Sequence, residues 1–246
     1  MLIGHVKEIV RYPVKSFHGE SVVKTKVMDY GLYGDRSHAY LDESRPGKYL
    51  TITQYPEMVR YKAGFMGEEN ENIYPPVSIT TPNGRQIPWD DEELLKEIED
   101  SSSRKITPVK YSPAHVPEGA IEEENILLVT DASLQKMKEM WGKEKLDFQR
   151  FRPNLVISLI KDDPFAEDKW FGKTMKIGSV EIKVKRHCER CMIITVDPES
   201  GDRDPSLHKK VISERDNHFG VYSSVLKTGE ISSGDEVYLF DKVHVN

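Results

Sequence analysis

A chain of 246 residues is long enough to bury a sizeable core, and 37% hydrophobic with 31% charged residues is ordinary for a globular sequence. A formal net charge of -6 and a pI near 5.8 argue against a nucleic-acid surface, and two cysteines are too few for a disulfide scaffold. No apolar run approaches the ~18 residues that a membrane span needs. Residues 1–7 lack a charged segment followed by an apolar one, so no secretory leader is expected and the cytoplasm is the expected compartment.

Residues 4–13 alternate as a strand that Pro13 ends. Residues 21–28 read as one strand, with Val22, Lys24 and Lys26 on one face and Val23, Thr25 and Val27 on the other. Gly31 and Gly34 mark a turn running to Asp35, and residues 38–42 read as the next strand. Residues 77–81 followed by 82–85 read as a strand and a tight hairpin turn. Residues 90–100 open an acidic helix with Leu94, Leu95 and Ile98 facing inward. Ser101-Ser102-Ser103 and residues 111–124, rich in Ser, Pro, Gly and Glu, mark a boundary or mobile loop.

Residues 125–129 read as a buried strand. Thr130 and Asp131 then begin a helix running to about Trp141, with Leu134, Met137, Lys138 and Trp141 on one face. Residues 155–160 form an apolar strand, and 174–184 read as two strands joined at Gly178. Residues 219–226 and 236–240 finish the chain as strands around Gly229 and Gly234. Many short strands with scattered helices predict a mainly β (α+β) fold, a barrel or strongly curved sheet with a few covering helices. The sequence carries no internal repeat, no G-x-x-x-x-G-K-[ST], no strand–GxGxxG–helix and no G-x-S-x-G, so common nucleotide and nucleophile-elbow readings lack support.

The densest chemistry lies at Cys188-Glu189-Arg190-Cys191, where three readings stand. Two core cysteines can lie close by accident. A redox CxxC pair belongs at a strand-to-helix junction, whereas Met192-Ile193-Ile194-Thr195-Val196 reads as strand. A structural zinc site takes four protein ligands, and this segment with His187 supplies three at most. A metal arriving inside an organic cofactor needs only one thiolate, which Arg186 and Arg190 would favour.

Cationic residues beside small polar ones form a second pattern. Lys15-Ser16 follows Pro13, Arg36 follows the glycine turn, and Arg150, Arg152 and Asn154 precede an apolar strand. Thr130 and Ser133 open a helix whose first free N–H groups attract anions. Each alone reads as a solvated charge or a plain cap. Together they suit a phosphate and a polar heterocycle, because Arg grips phosphate with two prongs, but spacing does not establish that they converge. The acidic loop of Asp197, Glu199, Asp202 and Asp204 lacks the Gly and closing Glu of an EF-hand and reads as solvated.

In order along the chain, residues 11–16 (RYPVKS), 31–36 (GLYGDR), 50–58 (LTITQYPEM), 151–156 (FRPNLV), 188–201 (CERCMIITVDPESG), and 219–222 (FGVY) with 231–237 (ISSGDEV) resemble motifs of the MOSC family, the molybdenum cofactor sulfurase C-terminal domain. The resemblance implies a β-barrel related to those sulfurases and to the mitochondrial amidoxime-reducing component. It implies an N-terminal β-barrel-like region over residues 1–100, whose first strands can join the barrel, and a MOSC domain over 101–243. It implies a molybdenum–pterin cofactor whose metal is held by the catalytic thiolate of Cys191. By the same carry-over Lys15, Ser16, Arg36, Thr130, Ser133, Arg152, Asn154, Arg190 and Tyr222 contact that cofactor. The implied activity is reduction of small N-hydroxylated or N-oxide compounds by oxygen transfer. Electrons would come from a separate donor protein, since no fused iron–sulfur or flavin module is seen. Family members are also proposed to handle sulfur, which implies as an alternative a carrier or cofactor-transfer module using a Cys191 persulfide. A barrel that keeps the fold and takes another ligand is a third reading, and pyridoxal phosphate binding is a family-level association. Glu189 departs from the pattern, standing where the amidoxime-reducing component has a small serine. A carboxylate there repels a cofactor's negative groups unless it turns outward or pairs with Arg186.

Overall fold

The computed structural model describes residues 1–117, 120 and 123–241. Its centre is a closed β-barrel. Strand β1 (Leu2–Arg11) pairs antiparallel with both β16 (Glu236–Phe240) and β11 (Leu155–Leu159). Between those two the ring runs through β10 (Ile126–Thr130), β14 (His218–Lys227), β13 (Val180–Glu189) and β12 (Thr174–Ile177). Only β10 and β11 run parallel, and the connection between them carries a helix, α2 (Asp131–Trp141), as a parallel pair requires.

The barrel interior is filled by branched and long apolar side chains, among them Ile9, Leu128, Ile157, Met175, Ile182 and Val237. Along β1 the inward residues Ile3, Val6 and Ile9 fall three apart rather than two. Register shifts between Leu2 and Gly4 and between Val6 and Glu8 account for this, each inserting a residue and turning the strand. On β14, Gly220 (φ +78°) permits close approach to β10, where a Cβ would lie 2.8 Å from the Val129 side chain and 2.9 Å from the Leu128 carbonyl oxygen.

Outside the barrel, β5 (His38–Asp42) pairs with β9 (Ile106–Lys110), and β6 (Lys62–Phe65), β7 (Val77–Thr80) and β8 (Gln86–Pro88) form a small meander. Helix α1 (Glu92–Ser102) packs Leu94 and Ile98 onto this second core, which also receives Val14 and Phe17 from the loop after β1 and Val196 from the loop after β13. Asp91 caps α1 by accepting from the Glu93 N–H. A third core joins α2 and α3 (Ser206–Arg215) through Met137, Leu207, Val211, Phe151 and Phe219. The three α-helices found among the described residues thus cover a mostly β molecule, as the sequence pattern predicts.

Two local expectations are corrected. Residues 21–28 do not form one strand: β2 (Glu20–Ser21) pairs with β1, and β3 (Lys24–Met28) pairs with β15 (Gly229–Ser232) and with β4 (Gly31–Leu32). The break falls at Val22 and Val23, whose backbone groups bond to Ile9 and Ser233 instead, leaving the Val23 side chain exposed. Residues 192–196 are not a strand either. Met192–Thr195 is a 3-10 turn, and Thr195 Oγ1 donates to the Met192 carbonyl. Part of the loop expected over 111–124 lies outside the described residues. Within it Val116 and Ala120 are buried against Tyr30.

Candidate functional site

Strand β13 ends with Cys188 and Glu189, and the chain then turns sharply, with Cys191 preceding the 3-10 turn. A register shift between His187 and Glu189 lets the strand leave its partner β14 here. Cys188 is buried and Cys191 exposed. Both line a narrow cleft of about 60 Å³, together with Arg36, Arg152, Arg190, Asn154, Glu124, Glu189 and Tyr222.

Arg190 is almost fully buried. Its Nη2 donates to the Phe151 carbonyl at 2.8 Å and its Nη1 to Cys188 Sγ at 2.7 Å, while its Nε has no partner among the described residues. Arg36 and Arg152 are equally buried and lie against the ring of Tyr12, with their guanidinium carbons 4.8 and 4.1 Å from its centroid. Arg36 pairs with the buried Asp35, which also accepts from the Tyr12 N–H at 2.8 Å. Arg152 donates to the Phe17 carbonyl at 2.9 Å. Burial pushes the Tyr12 phenol up to about 12 even though Arg152 and Arg36 pull it down, so Tyr12 is a neutral platform for the two cations.

Backbone conformation sets these side chains apart. Ser16 (φ 72°), Arg36 (φ 52°) and Arg152 (φ 53°) are non-glycine residues in the left-handed region. Such conformations are costly, and they concentrate where surrounding structure over-determines a functional loop. Here the Arg36 N–H is fixed to the Tyr12 carbonyl at 2.7 Å, and Arg152 ends the 3-10 turn Phe148–Phe151.

Not every expected contact residue faces the cleft. Asn154 lines it, but its amide is committed to the scaffold: Oδ1 accepts from the Leu127 N–H at 3.0 Å and Nδ2 donates to the Val10 carbonyl at 3.3 Å. Lys15 is buried, donates to the Ala120 carbonyl at 2.9 Å, and is not among the residues lining the cleft. Ser16 is buried too and does not line the cleft. Thr130 and Ser133 do not join Cys191. Thr130 caps α2, and both hydroxyls donate to the buried carboxyl of Glu167, at 3.0 and 2.8 Å. Burial raises the Glu167 pKa, opposed by those hydrogen bonds.

Arg150 and the acidic loop also find structural partners. Asp197 accepts from the N–H groups of Glu199 and Ser200 and from Arg150 at 2.6 Å. Among the described residues no three His, Cys, Asp or Glu side chains converge as a metal site. His187 lies 3.4 Å from Asp168 and stacks on His218. A larger open groove between α2 and β11 is lined by charges of both signs, with Lys7 3.7 Å from Asp131, and contains no nucleophile.

Sequence reasoning missed Tyr12, Asp35, Glu124 and Phe151 as parts of the site. Tyr12 and Asp35 sit inside the motifs at residues 11–16 and 31–36, the second of which carries Arg36. Glu124 has no such signal, because a loop residue reveals its partner only in three dimensions.

The donor set fits an anionic cofactor bound through sulfur. An exposed thiol stands beside buried guanidinium groups, one of which retains an unpartnered Nε. The barrel and this cleft define the class. The model of the MOSC domain matches residues 109–238, and that of the MOSC N-terminal beta barrel domain matches residues 3–91. The chain belongs to the MOSC family. It is 26% identical over 288 aligned positions to mitochondrial amidoxime reducing component 2 of Rattus norvegicus, covering 96% of this chain and 83% of that one. The Homo sapiens counterpart is 39% identical over 126 residues, a match spanning 46% of this chain and only 36% of that relative. Molybdenum cofactor sulfurase of Arabidopsis thaliana is 25% identical over 80% of this chain and 29% of its own length. Among solved structures, the YUAD protein from Bacillus subtilis shares the fold, with a TM-score of 0.54 at 12% identity and 98% of each chain covered. No helix among the described residues is long and apolar enough to cross a membrane.

Proposed function

We propose that this protein binds a molybdenum–pterin cofactor in the Cys191 cleft and reduces small N-hydroxylated or N-oxide compounds, drawing electrons from a separate donor protein. The observation that carries this reading is the exposed Cys191 beside the buried Arg36, Arg152 and Arg190. Similarity to amidoxime reducing components and to a molybdenum cofactor sulfurase supports the cofactor. When bound, the group supplies two-electron oxygen-atom transfer.

The chain's residues supply the rest. Cys191 Sγ is the metal ligand, a soft donor suited to a soft, redox-active metal. Arg190, Arg152 and Arg36 hold the cofactor's anionic and heterocyclic parts. Tyr12 keeps two of these guanidinium planes in place from behind. Tyr222, covered by Arg186 at 5.1 Å, closes one wall and limits water.

The test is molybdenum content of protein made with cofactor available. Near one metal per chain is expected in the wild type, falling more than tenfold in Cys191→Ala. Equal retention in the variant sinks the assignment. A second reading, a sulfur carrier using a Cys191 persulfide, is favoured by the presence of Cys188 in the same cleft. Little molybdenum in both proteins together with a persulfide mass on the Cys191 peptide would establish it.

A further inference from the structure

Buried Arg190 stands between two exposed residues, Glu189 and Cys191, and its own backbone is held at both ends. Its N–H donates to the Asn217 carbonyl at 2.8 Å. Its carbonyl, part of the peptide that carries the Cys191 nitrogen, lies 3.2 Å from His208 Nε2. The same Nε2 lies 3.0 Å from Asn217 Oδ1. Both partners are accepting oxygens, so Nε2 carries the proton and donates to the pair. His208 sits half-buried on α3 and is not among the residues lining the cleft.

The segment between α3 and β14 is shaped to deliver these contacts. Asp216 (φ 47°) and Asn217 (φ 63°) both adopt left-handed backbone. Asp and Asn tolerate this region better than most residues, yet two in succession are costly. The Asn217 N–H returns to the Val211 carbonyl of α3 at 3.3 Å, while its two oxygens meet the Arg190 N–H and His208. Beyond Cys191 the loop is fastened to the stretch that leads into α3. There the Asp204 N–H donates to the Thr195 carbonyl at 2.7 Å, and Val196 bridges Arg203. The Cys191 loop is therefore gripped on both sides by one helix and its flanks. A thiol so held binds a ligand without the cost of ordering its loop first.

We propose that His208 is a positioning residue for Cys191. With Asn217 it fixes the peptide joining Arg190 to Cys191, so that the exposed thiol and the neighbouring buried guanidinium meet a ligand already in place. Its role in cofactor retention rests on the reading above, whereas the grip on the loop does not.

The test compares His208→Leu, which removes the donor, with His208→Gln, which keeps an N–H of similar reach. Amide exchange of the full chain without cofactor is followed by nuclear magnetic resonance. Loss of one hydrogen bond corresponds to about fivefold in an opening equilibrium. The Arg190 N–H is expected to exchange about fivefold faster in His208→Leu and to return to within about twofold of wild type in His208→Gln. Amides of β12 and β16, across the barrel, should keep their rates. Molybdenum content of the same proteins, made with cofactor available, should fall at least threefold in His208→Leu and recover in His208→Gln. Unchanged Arg190 exchange in His208→Leu, equal acceleration in β12 and β16, no recovery in His208→Gln, or full molybdenum retention in His208→Leu overturns the proposal. Should the wild type retain no molybdenum, the cofactor reading falls and the exchange pattern alone decides the proposal.

Discussion

Two arginines of nearly equal burial, Arg11 and Arg190, are used in opposite ways. Arg11 is met by two carboxylates, Glu20 at 2.5 Å and Glu69 at 2.6 Å, and lies 4.9 Å from the Phe65 ring centroid. Glu69 in turn accepts from Thr25 Oγ1 and from the Lys26 N–H, so the cluster fastens the segment before β7 to β1 and β3. Arg190 has a carbonyl, a sulfur and one unused Nε, with no carboxylate among the described residues. A buried cation saturated by carboxylates holds the fold together. A buried cation held by uncharged acceptors keeps its charge for something that arrives later.

The largest effect that would break this contrast belongs to the scaffold. Arg11→Met strands two partly buried carboxylates and is expected to cost about 3 kcal/mol in denaturant unfolding. A loss below about 1 kcal/mol would show that the cluster is dispensable. Next comes His38, which stands in the same aromatic neighbourhood, its ring 6.0 Å from Phe65 and 4.7 Å from Trp89. Burial, helped by Lys110, drives its pKa down from 6.5 to about 3. The folded state therefore holds fewer protons than the unfolded one. Stability from this group is intact above pH 6.5 and is lost as pH falls towards 3. Between pH 6.5 and 4.5 the loss is roughly 2 kcal/mol, and His38→Phe should flatten that slope. An unchanged slope in the variant would assign acid sensitivity elsewhere.

Arg190→Met strands no carboxylate and should change stability by about 1 kcal/mol or less, while molybdenum retention drops more than tenfold. If Arg190→Met and Arg11→Met destabilise equally, the distinction between seat and scaffold fails. The smallest expected effect is at Glu167. Its folded-state pKa is raised by burial, so its contribution is present below the ordinary glutamate pKa and is lost as pH rises through the folded value. Glu167→Gln should gain on the wild type in unfolding experiments as pH rises from 4 to 8, and a constant difference would deny that the group titrates.

Much of the barrel was legible because its strands are short apolar runs bounded by glycine or proline. The 174–184 hairpin and the strand at 155–160 appear nearly as expected, as β12, β13 and β11. Strands β6, β8 and β9 and helix α3 escaped notice. Lys62–Phe65 and Gln86–Pro88 are too short to show a period, and Ser206–Arg215 buries only Leu207 and Val211. In the site, the CxxC segment and the two arginine motifs were legible as chemistry. The inward turn of Lys15 and the capture of Thr130 and Ser133 by Glu167 were not. A helix cap that binds an external anion and one that binds a carboxyl of its own chain have the same local sequence.

Barrel closure has a kinetic consequence. Leu2 pairs with Tyr238, so the ring shuts only when the first strand meets the last. Tyr12, which backs Arg36 and Arg152, follows directly on that first strand. Contacts this distant in sequence form slowly, because the loop entropy must be lost before the contact is gained. During synthesis the arginine floor and the thiol can be made long before they are held together. A nascent chain should acquire its binding seat only after Phe240 has left the ribosome.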